Sequence, residues 1–344
     1  MSETIEQLQY LGPGELGRRE VAAPQLTGDG AALVRPIAVA TCDLDALIIA
    51  GTSPFPAPFA IGHECVAEVV DTGDAVSTVA AGDRVSVPFQ ISCGECGACR
   101  RGHTGNCEEG GFMSTYGFGP AVETYGGFLS DLVLVPHADH MLAPVAPELD
   151  PVDVASASDN ISDAWRAIGP LLAERPGASV LVVGGAGPGS IGLYAAGIAV
   201  ALGASEVVYV DRDPSRCETA RRLGAKVESE SMPQRLGPFA ITVDASGDPD
   251  GLGLALRSTA PDGTCTSTAI YFGDPPPVPI LEMYTKVVTF KVGRAHVQPV
   301  IPGVLDLVAS GAFKPGLVTS SVVSWADGPA ALAELDWTKL VIAR

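Results

Sequence analysis

The sequence predicts a two-domain protein in which a β-rich, barrel-like domain precedes an α/β domain with a doubly wound parallel sheet. Its 344 residues exceed the roughly 150 residues that one domain usually holds. Up to about residue 150, short alternating strand patterns are broken by Gly and Pro, and beyond it apolar strand segments alternate with helical segments. The first pattern is typical of an irregular β barrel and the second of a parallel sheet.

We expect the first domain to span residues 1–152, the second 153–294, and a tail of mixed pattern, 295–344, to pack back on the first domain. In the second domain the pattern predicts helices and strands in alternation: a helix over 153–175, a strand over 179–184, a helix to Gly203, a strand over 206–211, a helix over 214–223, short and longer strands over 226–228 and 239–244, a helix over 250–259 and a strand over 264–272.

The composition is that of a folded, acidic protein. Hydrophobic residues make up 47% of the chain and charged residues 18%, so the chain can bury sizeable cores. Forty acidic against 21 basic residues give a net charge of −19, which repels nucleic acid and anionic lipid. We expect neither a nucleic-acid partner nor a membrane partner.

Targeting and cysteine content favour the cytoplasm. The longest apolar run, 191–204, has 14 residues including three glycines, and a membrane span needs about 18. The N-terminus has no basic region followed by an apolar core, so no signal peptide is predicted. Crowded cysteines in such a chain suit metal binding better than disulfides.

Four of the eight cysteines follow the spacing Cys93-x2-Cys96-x2-Cys99-x7-Cys107. Four thiolates on a Gly-rich loop can close a tetrahedron around one Zn²⁺ and leave no position for substrate. Free thiols or an iron–sulfur cluster are the alternatives, since similar short spacings occur in ferredoxins. The spacing predicts a structural zinc lobe over about residues 90–110.

Cys42 and the sequence Gly62-His63-Glu64 supply a second set of metal-binding residues. Cys and His are common zinc ligands, and a catalytic zinc needs three protein ligands and one exchangeable position. A single Cys and a single His are by themselves more often structural. Beside a four-cysteine lobe they favour a second zinc site.

A Gly-rich turn follows the predicted strand over 179–184 and opens a helix. Glycine lets the backbone approach a pyrophosphate, and the helix N-terminus supplies amide donors. Asp211 ends the next strand, where an acid accepts hydrogen bonds from an adenosine ribose. An acid there favours NAD over NADP, while Arg212 leaves room for NADP; a plain tight turn is the alternative. The predicted cofactor-binding residues are Gly185, Gly187, Pro188, Gly189, Ser190, Ile191, Gly192, Asp211 and Arg212.

Together these features resemble the zinc-dependent alcohol dehydrogenases of the medium-chain dehydrogenase/reductase superfamily, over nearly the whole chain. The resemblance implies a GroES-like β-rich catalytic domain, a Rossmann cofactor domain, two Zn²⁺ per chain, NAD, and a homodimer or homotetramer. The segment from Gly110 to Pro136 is similar to the formaldehyde dehydrogenase-like branch. The matching residues are Cys42, Gly62-His63-Glu64, Gly82-Asp83-Arg84-Val85, the four-cysteine lobe, Gly126-Gly127-Phe128 and the Gly-rich turn with Asp211.

The resemblance also implies roles for single residues. It places Asp159 at the third ligand position of the catalytic zinc, where many relatives have cysteine; a helix N-cap is the alternative role for this aspartate. Glu64 is implied as a fourth ligand that exchanges with water, or as a neighbour of the ligands. Phe89 matches a substrate-pocket aromatic residue, with plain core packing as the alternative. Lys339 could reach a cofactor phosphate, but we expect it at the solvated surface.

Two departures from the family pattern stand out. Leu44 occupies a substrate-pocket position where relatives carry the Ser or Thr that takes the alcohol proton, so the exit of the proton is unassigned; Asp43, Asp45, Glu64 or water are candidates. The Gly-rich turn has two more residues than the usual pattern, up to Gly192.

The function implied is hydride transfer between an alcohol or aldehyde (or ketone) and NAD, with Cys42, His63 and Asp159 as zinc ligands. A reductase of activated carbonyls or double bonds, using NAD(P)H and a solvent proton, is the alternative that Leu44 suggests. A cofactor-binding relative without turnover is a third. The predicted partner is a small-molecule alcohol or aldehyde.

Overall fold

The structure, a computed structural model, describes residues 3–185, 187–227 and 232–344. These residues form two compact units. The first holds the described residues up to Ser162 together with Ala295–Ala309 and Thr319–Arg344, and the second holds Asp163–Arg294 and Ser310–Val318. The sequence predicts domain boundaries after residues 152 and 294.

The strands of the described part, in chain order, are β1 Thr4–Gly12, β2 Glu15–Ala22, β3 Ala32–Ala40, β4 Phe59–Ala60, β5 Glu64–Thr72, β6 Arg84–Val87, β7 Val133–Val135, β8 Ala143–Pro144, β9 Val180–Val183, β10 Val207–Val210, β11 Lys226–Val227, β12 Phe239–Asp244, β13 Thr259–Ser267, β14 Thr289–Val292, β15 Ser321–Ser324 and β16 Leu340–Ala343.

The α-helices are α1 Asp43–Ile49, α2 Gly97–Arg100, α3 Val122–Tyr125, α4 Ala138–Met141, α5 Pro151–Val154, α6 Asn160–Glu174, α7 Ser190–Ala201, α8 Pro214–Arg222, α9 Pro249–Ser258, α10 Ile280–Lys286, α11 Ile301–Ala309 and α12 Gly328–Glu334. Short 3-10 helices cover Thr104–Asn106, Ala155–Ser158 and Pro315–Leu317.

The first unit is built on β-sheets. One sheet has the strand order β15-β16-β3-β5-β6-β8, with β7 pairing β3, and a three-stranded sheet has the order β2-β1-β4. Strand β16 comes from the C-terminal tail and pairs antiparallel with β3, matching Val341 with Ala40. The tail thus completes the sheet that carries the end of β3 and the start of β5.

The second unit is a doubly wound α/β fold, as predicted. Its six strands are all parallel in the order β11-β10-β9-β12-β13-β14, and helices connect most consecutive strands. Strand β9 is buried along its whole length, as strands of a parallel sheet covered on both faces are. The core includes Leu181, Val183, Val210, Leu252 and Leu254.

Two predicted elements have different bounds in the structure. The helix expected over 153–175 is divided into α5, a 3-10 turn and α6. The 3-10 turn ends before α6 because Asp159 leaves the helical region with φ −156° and ψ −87°. The strand expected over 264–272 is β13, which stops at Ser267 because its neighbour β12 ends at the paired Asp244. Of the short strand predicted over 226–228, Glu228 lies outside the described residues.

In the described part of the chain, no helix has both the length and the apolar character that crossing a membrane requires.

Candidate active site and zinc centres

The first unit brings together the three residues predicted to hold a catalytic zinc. One ligand atom each from Cys42, His63 and Asp159 lies within 4.8 Å of the others, and all three residues are buried. They come from distant parts of the chain: the loop after β3, the loop before β5 and the residue before α6. Three buried donors of this kind would suit a catalytic zinc, which needs three protein ligands and one exchangeable position.

Cys42 is positioned by the start of α1, for which it is the N-cap residue. Its Sγ atom accepts a hydrogen bond from the Leu44 amide at 3.5 Å, and its own amide donates to Asp45 Oδ2 at 2.7 Å. Asn160 Oδ1 lies 3.2 Å from the same sulfur. Burial, followed by the Asp159 carboxylate, raises the pKa of the Cys42 thiol. A metal cation is therefore needed to hold this sulfur as a thiolate.

His63 lies between two carboxylates. Its Nδ1 atom is 3.4 Å from Asp45 Oδ1 and its Nε2 atom is 3.5 Å from Asp159 Oδ2. Despite these distances, neither nitrogen makes a hydrogen bond of acceptable geometry to the described residues. Burial lowers the pKa of the imidazole, but Asp45, Asp159 and Glu64 outweigh burial and raise this pKa to about 9. The surroundings of the ring thus favour a bound cation.

Glu64 faces Lys339 rather than joining the three ligands. Lys339 Nζ is 3.1 Å from Glu64 Oε2 and also donates to the Thr41 carbonyl. Burial raises the pKa of the Glu64 carboxyl to about 8 against the opposing effect of Lys339. The expected surface position of Lys339 is wrong, because its side chain is only 1% exposed. Nothing in the local sequence signals a buried lysine, since its partner is 275 residues away.

Aromatic rings surround His63 within the same unit. The Phe118 ring centroid lies 4.9 Å from that of His63, and the Phe89 centroid lies 5.9 Å from both. Leu44 is buried beside Cys42. Phe118 is absent from the predicted pocket residues, although it stands in the segment that resembles the formaldehyde dehydrogenase-like branch. These side chains form an apolar face beside His63 and Cys42.

The four predicted lobe cysteines also converge, with their Sγ atoms all within 4.8 Å of one another. Backbone amides point at the sulfurs: Glu95 and Cys96 donate to Cys93 Sγ, and Cys99 and Glu108 donate to Cys96 Sγ. The Glu108 and Cys99 amides lower the pKa of Cys96 to about 6. Amide donors of this kind stabilise thiolates, so the lobe fits a closed Zn²⁺ site.

The Gly-rich turn of the second unit runs from the end of β9 to α7, which begins at Ser190. Gly187 and Gly189 have φ values of +70° and +75°, a region that favours glycine, and Ala186 lies outside the described residues. Ile191 and Gly192 belong to α7 rather than to the turn. A Cβ on Gly192 would contact Ala245, Tyr209 and Val182, so this glycine permits close packing of helix on sheet.

The predicted ribose acceptor Asp211 has several protein partners. The Arg216 guanidinium donates to both of its carboxylate oxygens, and Tyr209 and the Asp213 amide donate as well. Arg212 is more than half exposed and pairs with Asp248 at 3.1 Å. Arg216 is missing from the predicted site residues, because its position five residues after the acid shows its role only in the folded chain.

Comparison with known proteins agrees with this geometry. The family model described as alcohol dehydrogenase GroES-like domain matches residues 28–146, and the one described as zinc-binding dehydrogenase matches residues 190–310.

Similar proteins are found both among curated proteins and among solved structures. A protein of Mycobacterium tuberculosis named probable zinc-binding alcohol dehydrogenase is 30% identical over 298 residues, covering 84% of this chain and 74% of that protein. The glutathione-independent formaldehyde dehydrogenase of Pseudomonas aeruginosa is 32% identical over 63% of this chain, which spans 57% of that protein's length. The alcohol dehydrogenase TADH from Thermus sp. ATN1 superposes with a TM-score of 0.85 at 30% identity, covering 98% of this chain and 99% of that chain.

Proposed function

The chain belongs to the zinc-dependent alcohol dehydrogenase family of the medium-chain dehydrogenase/reductase superfamily, and from this premise we propose that Cys42, His63 and Asp159 form its catalytic zinc site. The enzyme is an NAD(P)-dependent oxidoreductase that acts on alcohols. The observation that carries the site assignment is the convergence of these three buried ligand atoms, with both His63 nitrogens lacking a hydrogen-bond partner among the described residues.

When bound, zinc supplies Lewis acidity that lowers the pKa of an alcohol, and the nicotinamide accepts or supplies hydride. The chain's own residues orient the reacting groups. Asp45 lies beside His63 Nδ1 and accepts a hydrogen bond from the Cys42 amide, so it orients both ligands. Phe89 and Phe118 pack against His63 and exclude water from this side of the site. We infer that the substrate carbon is held against these apolar rings.

Leu44 favours a second candidate function. An aliphatic side chain cannot accept the alcohol proton, and Leu44 donates only its backbone amide, to Cys42 Sγ. A reductase of activated carbonyls or double bonds, with a proton from solvent, would not need a hydroxyl at this position. We expect such an enzyme to turn over enones with NAD(P)H and to oxidise simple alcohols poorly. Efficient oxidation of simple alcohols would exclude this second function.

The zinc assignment is tested with Asp159→Asn. Asparagine caps helices as well as aspartate does, but its neutral amide is a poor zinc ligand. If Asp159 is a ligand, the variant should contain one zinc ion per chain instead of two by elemental analysis, and should lose turnover while still binding NADH. If Asp159 serves only as a helix cap, the variant would keep both zinc ions.

Two controls accompany this variant. Asp74→Ala removes an exposed carboxylate from the same unit and should leave two zinc ions and full activity. Cys96→Ser removes a lobe thiolate and should lose the other zinc ion. Retention of the lobe zinc in Cys96→Ser would contradict the four-cysteine assignment.

We propose that the chain forms homo-oligomers through β14, one of the two edge strands of the six-stranded sheet. Exposed apolar side chains lie on and beside this edge: Val292 is 70% exposed, Val287 68%, Tyr284 81% and Leu281 78%. An unpaired edge with apolar neighbours is a template for pairing, and a second copy offers an identical edge. Pairing of two β14 strands would give a dimer, and a further interface would give a tetramer.

The oligomer is tested by light scattering coupled to size exclusion. The wild-type chain should have two or four times the 35.2 kDa chain mass. Val292→Lys places a charge on the edge and should shift the mass toward the monomer. The matched control is Val322→Lys, on the exposed strand β15 of the other unit, and it should leave the mass unchanged. A monomeric wild-type chain would refute the proposal.

We also propose that the protein works in the cytoplasm. None of the eight cysteines forms a disulfide, and the two proposed zinc sites need five of them as thiolates. A reducing compartment keeps such thiols available. Fractionation of the source cells should find the protein and its activity in the cytoplasmic fraction, and recovery from an extracellular fraction would contradict this location.

A further inference from the structure

Asp211 follows β10 directly and is completely buried. Its Oδ1 atom accepts hydrogen bonds from the Asp213 amide at 2.9 Å and from Arg216 Nη2 at 2.8 Å. Its Oδ2 atom accepts from the Tyr209 hydroxyl at 2.6 Å and from Arg216 Nε at 2.8 Å. A carboxylate offers about four lone-pair sites. In this structure all of them are taken by protein donors.

Arg216 reaches the Gly-rich turn with the same guanidinium. Nη1 donates to the Gly187 carbonyl at 2.9 Å and Nη2 donates to the Gly185 carbonyl at 2.6 Å. The side chain is only 12% exposed. It also lies over Gly189, where a Cβ atom would be 2.9 Å from Arg216 Cδ. The guanidinium thus bridges the turn predicted to bind the pyrophosphate and the acid predicted to bind the ribose.

Among the donors to Asp211, only the Arg216 guanidinium can move away without disturbing the fold. Tyr209 is fully buried in the sheet, and the Asp213 amide belongs to the residue that caps α8. A ribose hydroxyl that bonds to Asp211 must therefore replace an Arg216 N–H group. The displaced guanidinium remains tethered to α8, next to the carboxylate.

This arrangement changes the electrostatics expected of an acid at the end of the second strand. A lone carboxylate would repel the 2′-phosphate of NADP, whereas the Asp211–Arg216 pair has no net charge. A guanidinium also matches the geometry of a phosphate and can donate two charge-assisted hydrogen bonds to it. An arginine near this acid is a means by which Rossmann domains accommodate the 2′-phosphate.

We propose that Arg216 determines the dinucleotide specificity of this chain and allows it to bind NADPH as well as NADH. The inference rests on the proposed function only in that a nicotinamide dinucleotide binds at the Gly-rich turn. It replaces the expectation from Asp211 alone, which favours NAD.

The test is the ratio of the dissociation constants of NADPH and NADH, measured by fluorescence titration of the whole chain without substrate. For the wild-type chain we expect the two constants to agree within about tenfold, because the ion pair cancels most of the repulsion. Arg216→Gln leaves the buried carboxylate without its cation, so the binding of NADPH should weaken by about tenfold or more relative to the binding of NADH.

Matched controls separate this effect from a general loss of positive charge. Arg221→Gln removes a charge from the exposed side of α8, and Arg212→Gln removes the exposed arginine beside Asp211. The first should leave the ratio unchanged and the second should change it less than Arg216→Gln does. If Arg216→Gln fails to fold, Arg216→Lys is the second variant. It keeps the positive charge, so the ratio should change by no more than about threefold, and this small change reflects the lost geometry of the guanidinium.

The outcomes distinguish the two proposals. Two results would overturn the role of Arg216 and leave the dehydrogenase function intact. The wild-type chain could bind NADPH more than about a hundredfold more weakly than NADH, or Arg216→Gln could leave the ratio of the two dissociation constants unchanged. Binding of neither dinucleotide would overturn both. Titration of His63→Ala should give the same ratio as wild type, because the zinc ligands lie in the other unit.

Discussion

Among single residues, Asp45 has the clearest supporting role at the proposed zinc site. Its two carboxylate oxygens serve two ligands, since Oδ1 lies 3.4 Å from His63 Nδ1 and Oδ2 accepts the Cys42 amide at 2.7 Å. Carboxylates behind a ligating histidine fix its orientation and raise its basicity. Asp45 therefore acts through His63 and Cys42 rather than on the substrate.

Asp45→Asn should weaken zinc binding at the catalytic site by about 10–100-fold, because an amide orients His63 less well than a carboxylate. Competition with a chromophoric chelator measures this affinity while the lobe zinc stays in place. Asp43→Asn, the neighbouring acid on α1, is the control. An unchanged affinity in Asp45→Asn would show that the carboxylate only caps α1.

The pH dependence of zinc binding follows from Cys42 and His63. Burial raises the pKa of the Cys42 thiol, and the neighbouring carboxylates raise the pKa of His63 to about 9. Zinc binds the thiolate and the neutral imidazole, so below about pH 9 its entry should release about two protons. The affinity should then rise with pH, with log Kd falling by about two per pH unit between about pH 6 and about pH 8. A flat profile would contradict this linkage.

At the scale of secondary-structure elements, a buried ion pair ties β5 to β16. Glu64 begins β5, and Lys339 directly precedes β16 and also donates to the Thr41 carbonyl between β3 and α1. A second contact joins the same segments, since the Thr41 hydroxyl accepts a hydrogen bond from the Leu340 amide at 3.0 Å. The pair thus holds together the chain segments next to the proposed zinc ligands Cys42 and His63.

Removing one partner of this pair should be far more damaging than removing both. Above about pH 8, where Glu64 is ionised, Lys339→Met leaves a buried carboxylate without its cation and should lower the free energy of unfolding by about 3–5 kcal/mol. The double variant Glu64→Gln/Lys339→Met should recover most of this loss. Urea unfolding with zinc in excess measures both. If the double variant loses as much free energy of unfolding as Lys339→Met and Glu64→Gln lose together, the two side chains do not interact.

For the whole molecule, the net charge of −19 sets the response to salt. Like charges on a compact chain repel each other, and the screening length falls from about 30 Å at 0.01 M to about 8 Å at 0.15 M ionic strength. Raising the salt concentration over this range should therefore raise Tm by a few degrees, about 2–4 °C per kcal/mol gained. Choline chloride at equal ionic strength should act like sodium chloride. A falling Tm would mean that attractive surface pairs outweigh the repulsion.

The sequence by itself determined the four-cysteine cluster and the parallel sheet. Cys93, Cys96, Cys99 and Cys107 lie on one short loop, so their spacing in sequence is already close to their spacing in space. Strands β9 and β10 of the second unit are continuous buried runs, and an apolar run of a few residues is visible in the sequence. Features that depend on local chain geometry can be predicted from local sequence.

Only the tertiary structure decided which side chains stand around these motifs. Lys339 meets Glu64 across 275 residues, and Phe118 meets His63 through the fold of the first unit. Arg216 is near Asp211 in sequence, but its contact with the Gly185 carbonyl spans 31 residues. Such contacts depend on how strands align and helices pack, which local pattern and composition do not encode. They decide the charge around the proposed zinc ligands and around the turn predicted to bind the dinucleotide.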